Sequence, residues 1–166
     1  GTLPTELGKW QKLVDFRAFN NPLLSGTLPS ELGAATLLEF LAIEFTRISG
    51  TIPSEIGRLS ALRVLALQYN ELSGTLPTEI GHLTALTALN LNPSGRRTHN
   101  HALSGTLPTE MGLMTSLTDF RLAGDSSRLL LHYVSGTLPS ELGQLTAVTR
   151  WQLSHNDISG TLPSEL

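Results

Sequence analysis

Seven glutamates recur at one position of a repeated segment, and they are the most regular candidates for acid/base chemistry. They are Glu6, Glu31, Glu55, Glu79, Glu110, Glu141 and Glu165. Glycoside hydrolysis, for example, uses two carboxylates about 5 to 10 Å apart with separate roles. Side chains that share one position of a repeat form a solvated row instead of such a pair. No serine, histidine and acid grouping and no glycine-rich phosphate loop stands out, so we expect no enzymatic function.

Three histidines, His99, His101 and His132, are the candidates for metal ligation. A zinc site needs four nitrogen, sulfur or oxygen ligands at defined spacings. The chain has no cysteine, and no carboxylate or fourth ligand accompanies these histidines at an arranged spacing. The sequence therefore predicts neither a metal site nor another cofactor.

A repeat positions all of these residues. The glycines of the "SG" steps fall at 26, 50, 74, 105, 136 and 160, so their spacings are 24, 24, 31, 31 and 24 residues. Such a period is typical of a solenoid. We divide the 166 residues into a single solenoid with coils 1–25, 26–49, 50–73, 74–104, 105–135 and 136–159 and a partial coil 160–166. Neither end carries an atypical capping unit, so we expect a fragment of a longer chain.

Within one coil, the alternation of Leu65, Ala66 and Leu67 predicts a short strand whose two leucines point inward. Val64, Ala66 and Gln68 are then expected to face outward. After the turn and the extended "SGTLP" segment, Thr78 is a plausible N-cap of a short helical turn that Gly81 ends. The repeated segment thus returns the chain to the next parallel strand, about 4.8 Å further along.

The pattern "LxxLxxLxLxxNxLSGTLPxxLGxL" resembles the leucine-rich repeat of the plant-specific type, and the resemblance covers the whole chain. It implies an α/β solenoid: a right-handed superhelix with a parallel sheet on the concave face, extra strands from the "SGTLP" segments, and helical turns on the convex side. Asn21, Asn70 and Asn156 occupy the asparagine position of the pattern, whereas Thr46 replaces it in the second coil. We expect that replacement to weaken the ladder of turn hydrogen bonds locally.

The outward positions of the predicted concave sheet vary from coil to coil, while the framework is monotonous. They are Asp15, Arg17, Phe19, Phe40, Ala42, Glu44, Val64, Ala66, Gln68, Ala88, Asn90, Asn92, Asp119, Arg121, Ala123, Arg150, Gln152 and Ser154. A binding face on a constant scaffold is expected to show this contrast. The candidate ligand contacts on it are Phe19, Phe40, Glu44, Arg121 and Arg150. The alternative is that strand-face residues vary because nothing constrains them.

Two adjacent coils each insert seven residues at the same offset, giving "NPSGRRTHNHA" at 92–102 and "GDSSRLLLHYV" at 124–134. Stacking preserves position around the coil, so the two loops should emerge side by side. Their candidate binding residues are Arg96, Arg97, His99, Arg128, His132 and Tyr133. The alternative is a pair of tolerated surface expansions whose leucines fold back on the solenoid.

A third candidate surface is a column of threonines, one per coil: Thr2, Thr27, Thr51, Thr75, Thr106, Thr137 and Thr161. The column reflects either β-propensity and duplication or a regular array of hydroxyl and methyl groups that meets an ordered lattice such as ice.

Composition limits the partners. Charged residues are 15% of the chain, below the roughly 25% of soluble domains, and the net charge is −3, which argues against nucleic acid. No apolar run approaches the roughly 18 residues of a membrane span, so no direct membrane insertion is expected. We interpret the chain as a protein or peptide recognition module. The resemblance implies a receptor-like ectodomain or a secreted protein; the alternative is a structural scaffold subunit of a larger assembly.

Overall fold

The computed structural model describes residues 1–92, 103–123, 134–162 and 164. In these residues the chain alternates short strands with short 3-10 turns, and no α-helix occurs in them. The strands β1 to β13 are, in chain order, Asp15–Arg17, Ser25–Thr27, Phe40–Ala42, Arg47–Gly50, Val64–Ala66, Glu71–Leu72, Gly74–Thr75, Ala88–Asn90, Leu103–Ser104, Asp119–Arg121, Ser135–Thr137, Arg150–Gln152 and Asp157–Ser159. The 3-10 turns are Thr5–Lys9, Ser30–Ala34, Ser54–Arg58, Thr78–His82, Thr109–Leu113 and Ser140–Gln144.

The main sheet confirms the predicted parallel sheet. Its six strands run in the order β1, β3, β5, β8, β10, β12, and every pair is parallel and in register. We number these strands, each with the four residues that follow it, as rungs 1 to 6. The central residue of each strand points inward, which places in one column Phe16, Leu41, Leu65, Leu89, Phe120 and Trp151.

The extra strands implied by the family resemblance are also present. They form three smaller parallel sheets, β2-β4-β6, β7-β9 and β11-β13. The chain enters the extended segment through a glycine with positive φ, such as Gly26 at 86°, a backbone region that glycine adopts without steric penalty. These sheets and the main sheet together direct the chain around each coil.

The 3-10 turns differ from the sequence expectation in two details. The extended residue before the turn Thr78–His82 is Pro77, with φ −68° and ψ 142°, so Thr78 lies inside the turn. No side-chain cap forms; instead the Thr78 hydroxyl donates to Glu79 Oε2 at 3.3 Å. Gly81 also lies inside the turn and is buried, so the prediction that it ends the turn is wrong.

One continuous core lies between the main sheet and the 3-10 turns. Leu65 and Leu67 are both buried, as their inward orientation predicts, and Phe120 is among the largest fully buried side chains. Burial of a leucine side chain stabilises the fold by about 1.5 to 3 kcal/mol. Because each coil contributes only a few such residues, the core forms through stacking of neighbouring coils.

A buried asparagine, Asn70, connects two successive coils. Asn70 Nδ2 donates to the carbonyl oxygens of Ile43 at 2.5 Å and Leu67 at 3.0 Å, so it joins rung 2 to rung 3. The Thr46 hydroxyl donates to Asn70 Oδ1, and the Ile48 amide donates to Thr46 Oγ1 at 3.3 Å. Thr46 therefore takes part in the ladder, although it cannot supply the two amide hydrogens of an asparagine.

Candidate functional site

The predicted variable stripe lies on one surface, which we call the sheet face: the outward residues of the main-sheet strands and the second residue after each strand. The parallel register brings equivalent positions side by side; for example, Asp119 lies beside Ala88 on one side and Arg150 on the other. Two of the residues expected to be outward are in fact buried. Ala66 is 8% exposed and Gln68 is 9% exposed, because neighbouring rungs cover them.

A charged cluster occupies rungs 5 and 6 of the sheet face. Arg121 binds Asp119 through two hydrogen bonds, Nε to Oδ1 at 2.9 Å and Nη2 to Oδ2 at 2.7 Å. Arg150 Nη1 reaches the same Oδ2 at 2.6 Å from the next strand. Two guanidinium groups thus share one carboxylate, which leaves a local excess of positive charge. Such an arrangement suits an anionic group on a ligand.

The charge on Asp119 is predicted to depend on this cluster. Hydrogen bonding by Arg121, and then by Arg150, holds the pKa of Asp119 below its ordinary value, while partial burial acts in the opposite direction. A lowered pKa in the folded state means that the stabilising effect is present above the unfolded pKa and is lost as the pH falls through the folded value. In an NMR titration of the Asp119 side-chain carboxyl carbon, we expect a low midpoint that rises in Arg121→Ala. An unchanged midpoint in that variant would contradict the assignment.

Rung 1 and the neighbouring rung carry an aromatic and charged group. Arg17 Nε lies 2.9 Å from Asp15 Oδ1, and the guanidinium lies over the Phe40 ring, 5.6 Å from its centroid. Phe19 is 54% exposed, although it is a large apolar side chain. Three of the predicted contact residues, Phe19, Phe40 and Glu44, therefore lie on rungs 1 and 2, and the remaining two, Arg121 and Arg150, lie on rungs 5 and 6.

Sequence reasoning missed a pair of aromatic residues between these groups. Phe45 and Tyr69 stack with ring centroids 4.2 Å apart and an interplanar angle of 20°. Each stands directly before the asparagine position, at Thr46 and Asn70. The repeated aromatic type at this position in two adjacent coils was the signal that could have identified the pair.

The threonine column lies outside the sheet face, and from Thr27 onwards its members lie in or just after the strands of the smaller sheets. Thr27, Thr75 and the other described members are exposed. In the column from Thr2 to Thr137, each methyl group packs against the glycine of the following coil; for example, a methyl group added to Gly50 would lie 3.0 Å from Thr27 Cγ2. The hydroxyl and methyl groups therefore repeat with one packing arrangement from coil to coil.

Six predicted contacts lie outside the described residues: Arg96, Arg97, His99, Arg128, His132 and Tyr133. The same holds for His101. Among the residues that the structure does describe, no group of three or more His, Cys, Asp or Glu is placed to hold a metal ion. None of the helical segments in these ranges has the length and apolar composition needed to cross a bilayer.

Comparisons with known proteins agree with this architecture. A family model described as Leucine Rich Repeat matches residues 61–83. No curated protein matches the chain. Among solved structures, the chain is 33% identical to the ectodomain of the plant membrane receptor kinase GASSHO1/SCHENGEN3 from Arabidopsis thaliana, in complex with CASPARIAN STRIP INTEGRITY FACTOR 2, with a TM-score of 0.86. That alignment covers 98% of this chain and 18% of the other.

Two further structures are similar over the whole of this chain. The plant peptide hormone receptor RGFR1, in complex with RGF2, is 32% identical with a TM-score of 0.77, and 28% of that chain is covered. A TDR receptor is 28% identical with a TM-score of 0.85, and 26% of that chain is covered. The chain therefore spans less than a third of the length of each of these relatives. The motif recurs in every coil, a family model matches the chain, and these solved structures are similar to it. The chain therefore belongs to the leucine-rich repeat proteins, and its repeat is of the plant-specific type.

Proposed function

We propose that this chain is a non-enzymatic recognition module that binds a protein or peptide ligand through the sheet face and the two inserted segments. One observation supports it most strongly: charged and aromatic side chains that differ from rung to rung lie in register on one surface, over a nearly constant framework. Aromatic residues and arginines are the side chains that dominate binding energy at protein interfaces.

The similar structures support the same proposal. One of them is described as a plant peptide hormone receptor in complex with RGF2, and another is a receptor kinase ectodomain bound to CASPARIAN STRIP INTEGRITY FACTOR 2. For this chain we infer a ligand that lies across several rungs. The reason is that the group of contact residues on rungs 1 and 2 is separated from the group on rungs 5 and 6 by three strand spacings, about 14 Å. About four extended residues cover that distance.

A selection from a display library of random linear peptides tests the proposal. We expect binders whose affinity falls at least tenfold, a loss of about 1.4 kcal/mol, when Phe40→Ala and Arg121→Ala are combined. The matched control combines Thr75→Tyr and Thr106→Tyr, which alters the threonine column and leaves the sheet face unchanged. Equal weakening by the two double variants would contradict recognition by the sheet face.

Further arms of the experiment separate the alternatives. If deletion of 95–102 and 126–132 abolishes peptide binding and the sheet-face substitutions do not, the binding site would be assigned to the inserted segments. If no peptide is selected, the proposal of recognition fails for linear peptides, and the result would favour the interpretation of the chain as a structural scaffold subunit. Inhibition of ice recrystallisation by the wild type, lost only with the two tyrosine substitutions, would instead favour an ordered lattice as the ligand of the exposed threonine column.

A further inference from the structure

The centre of the sheet face contains two acceptor groups that lack a full set of partners among the described residues: Gln68 Oε1 has no donor, and the Glu44 carboxylate has no cation. Gln68 Nε2 donates to Glu44 Oε2 across the step from rung 2 to rung 3. Gln68 Oε1 is buried and has no hydrogen-bond partner among the described residues. Buried polar groups are almost always paired, because an unsatisfied one costs about 1 to 3 kcal/mol. This oxygen is therefore an exception that requires a physical reason.

The Glu44 carboxylate lacks a positively charged partner among the described residues. The carboxylate is half-buried, and no arginine or lysine of the described residues lies within ion-pair distance of it. Its burial raises its pKa, while the hydrogen bond from Gln68 lowers it. Three other acids on or beside the sheet face, Asp15, Glu39 and Asp119, each pair with an arginine.

An apolar wall follows these acceptors along the chain. Phe45 and Tyr69 come directly after Glu44 and Gln68, and they remain 47% and 38% exposed despite their size. Both have positive φ, 53° and 61°, a region that disfavours bulky side chains. Asn20 and His155 adopt the same conformation on other rungs, so the repeat imposes this turn. Aromatic residues at this turn carry a strain that their stacking offsets only in part.

We propose that Glu44, Gln68, Phe45 and Tyr69, which we call the acceptor patch, bind the lysine or arginine side chain of a peptide ligand. The cationic group lies between the Glu44 carboxylate and the Gln68 carbonyl oxygen. The aliphatic stem lies along the ring edges of Phe45 and Tyr69. This subsite rests on the peptide recognition proposed above and specifies one residue of the ligand.

The chemistry of the patch selects a long cationic side chain over the other classes. An anion is repelled by Glu44, and a neutral donor leaves the half-buried carboxylate without a counter-charge. A lysine or arginine combines an apolar stem with a terminal group that only donates, so it matches both the aromatic wall and the two oxygens. In the structure Gln68 Nε2 faces Glu44 and Oε1 is buried. The last torsion of the Gln68 side chain has broad minima, so rotation of the amide exchanges the Nε2–Glu44 hydrogen bond for an Oε1 that faces the cation, and the cation then donates to Glu44 in its place.

NMR titration with single-residue probes tests the subsite without a known ligand. The probe is N-acetyl-arginine N-methylamide, and the norleucine and glutamate analogues are the neutral and anionic controls. We expect a saturable shift of the Gln68 side-chain amide and the Tyr69 backbone amide with the arginine probe alone. Glu44→Gln should weaken binding at least tenfold, whereas Glu31→Gln, which removes the same charge from an exposed 3-10 turn, should leave it unchanged.

A second variant keeps the test decisive if Glu44→Gln alters the fold. Tyr69→Ser removes half of the wall and retains both acceptors, and it should weaken the arginine probe several-fold. Shifts that do not saturate, or that norleucine reproduces, would overturn the acceptor patch. Selected peptides that bind Glu44→Gln as well as wild type would overturn it and leave peptide recognition intact. A saturable arginine site in a protein that selects no peptide would retain the patch and overturn peptide recognition.

Discussion

Asn70→Ala is expected to lower the free energy of unfolding by about 3 kcal/mol, because the change leaves two buried carbonyl oxygens without their side-chain donor. Asn70 is 4% exposed, and its amide donates to Ile43 and Leu67, which belong to different rungs. Its Oδ1 also accepts hydrogen bonds from Thr46 and Ile48. Urea unfolding followed by circular dichroism measures the loss as a lower midpoint.

The chain offers a matched control at the same position of another coil. Asn21 is exposed, and its amide donates to Phe19 O at 3.0 Å. Asn21→Ala should therefore cost less than about 1 kcal/mol. Asn70→Asp, which keeps the size and the acceptor but loses the donors, should resemble Asn70→Ala. Equal midpoints for Asn70→Ala and Asn21→Ala would show that the ladder between rungs 2 and 3 adds little stability.

Gly81→Ala should destabilise the protein by about 3 kcal/mol, through a clash between two neighbouring coils. A methyl group on Gly81 would lie 2.6 Å from the carbonyl carbon of Glu110 and closer still to its oxygen. Since that carbonyl is backbone, relief requires a shift of the whole turn Thr109–Leu113. Thermal unfolding should show a larger decrease in Tm for Gly81→Ala than for an alanine substitution at any glycine outside the column of turn glycines, which includes Gly8, Gly33, Gly57, Gly81 and Gly112.

Gly26→Ala provides the contrast, because it tests backbone conformation with little steric clash. A methyl group there meets the Thr2 side chain at 3.0 Å, and the positive φ of 86° adds about 1 to 2 kcal/mol. His82→Ala, next to Gly81 on the exposed surface, controls for a change in the same turn. If Gly81→Ala were as stable as His82→Ala, close packing between the turns would not be the reason for glycine.

The repeat made most of the fold predictable. The glycine spacing and the inward leucines, such as Leu65, predicted the parallel strands and the core, because these depend on periodicities of the chain itself, whereas the extra strands were implied by the family resemblance. The role of Gly81 was not predictable in the same way. A single coil suggests a residue that ends a turn, whereas the relevant contact is the carbonyl of Glu110 in the next coil.

The candidate site was predictable only as a set of outward positions. Phe40, Arg121 and Arg150 follow from strand alternation, and they lie where that alternation puts them. The burial of Gln68 and the stacking of Phe45 on Tyr69 depend on side chains of neighbouring rungs, whose distances the sequence does not contain. Their positive φ also places these two aromatic residues outside the strand periodicity on which the prediction rested.

The spacing between successive rungs of the main sheet differs from the spacing between successive residues of an extended ligand. Rungs follow one another at about 4.8 Å, whereas a peptide in the polyproline II conformation advances about 3.1 Å per residue and completes one turn in three residues. Three ligand residues thus span about the same length as two rungs, so a polyproline II peptide along the solenoid axis presents the same side at about every second rung. Ligand positions i, i+3 and i+6 would then read Glu44, Asn92 and Ser154, on rungs 2, 4 and 6, while Phe19, Gln68 and Ala123 form the complementary set. Specificity along this face would accordingly alternate between two interleaved sets of rungs.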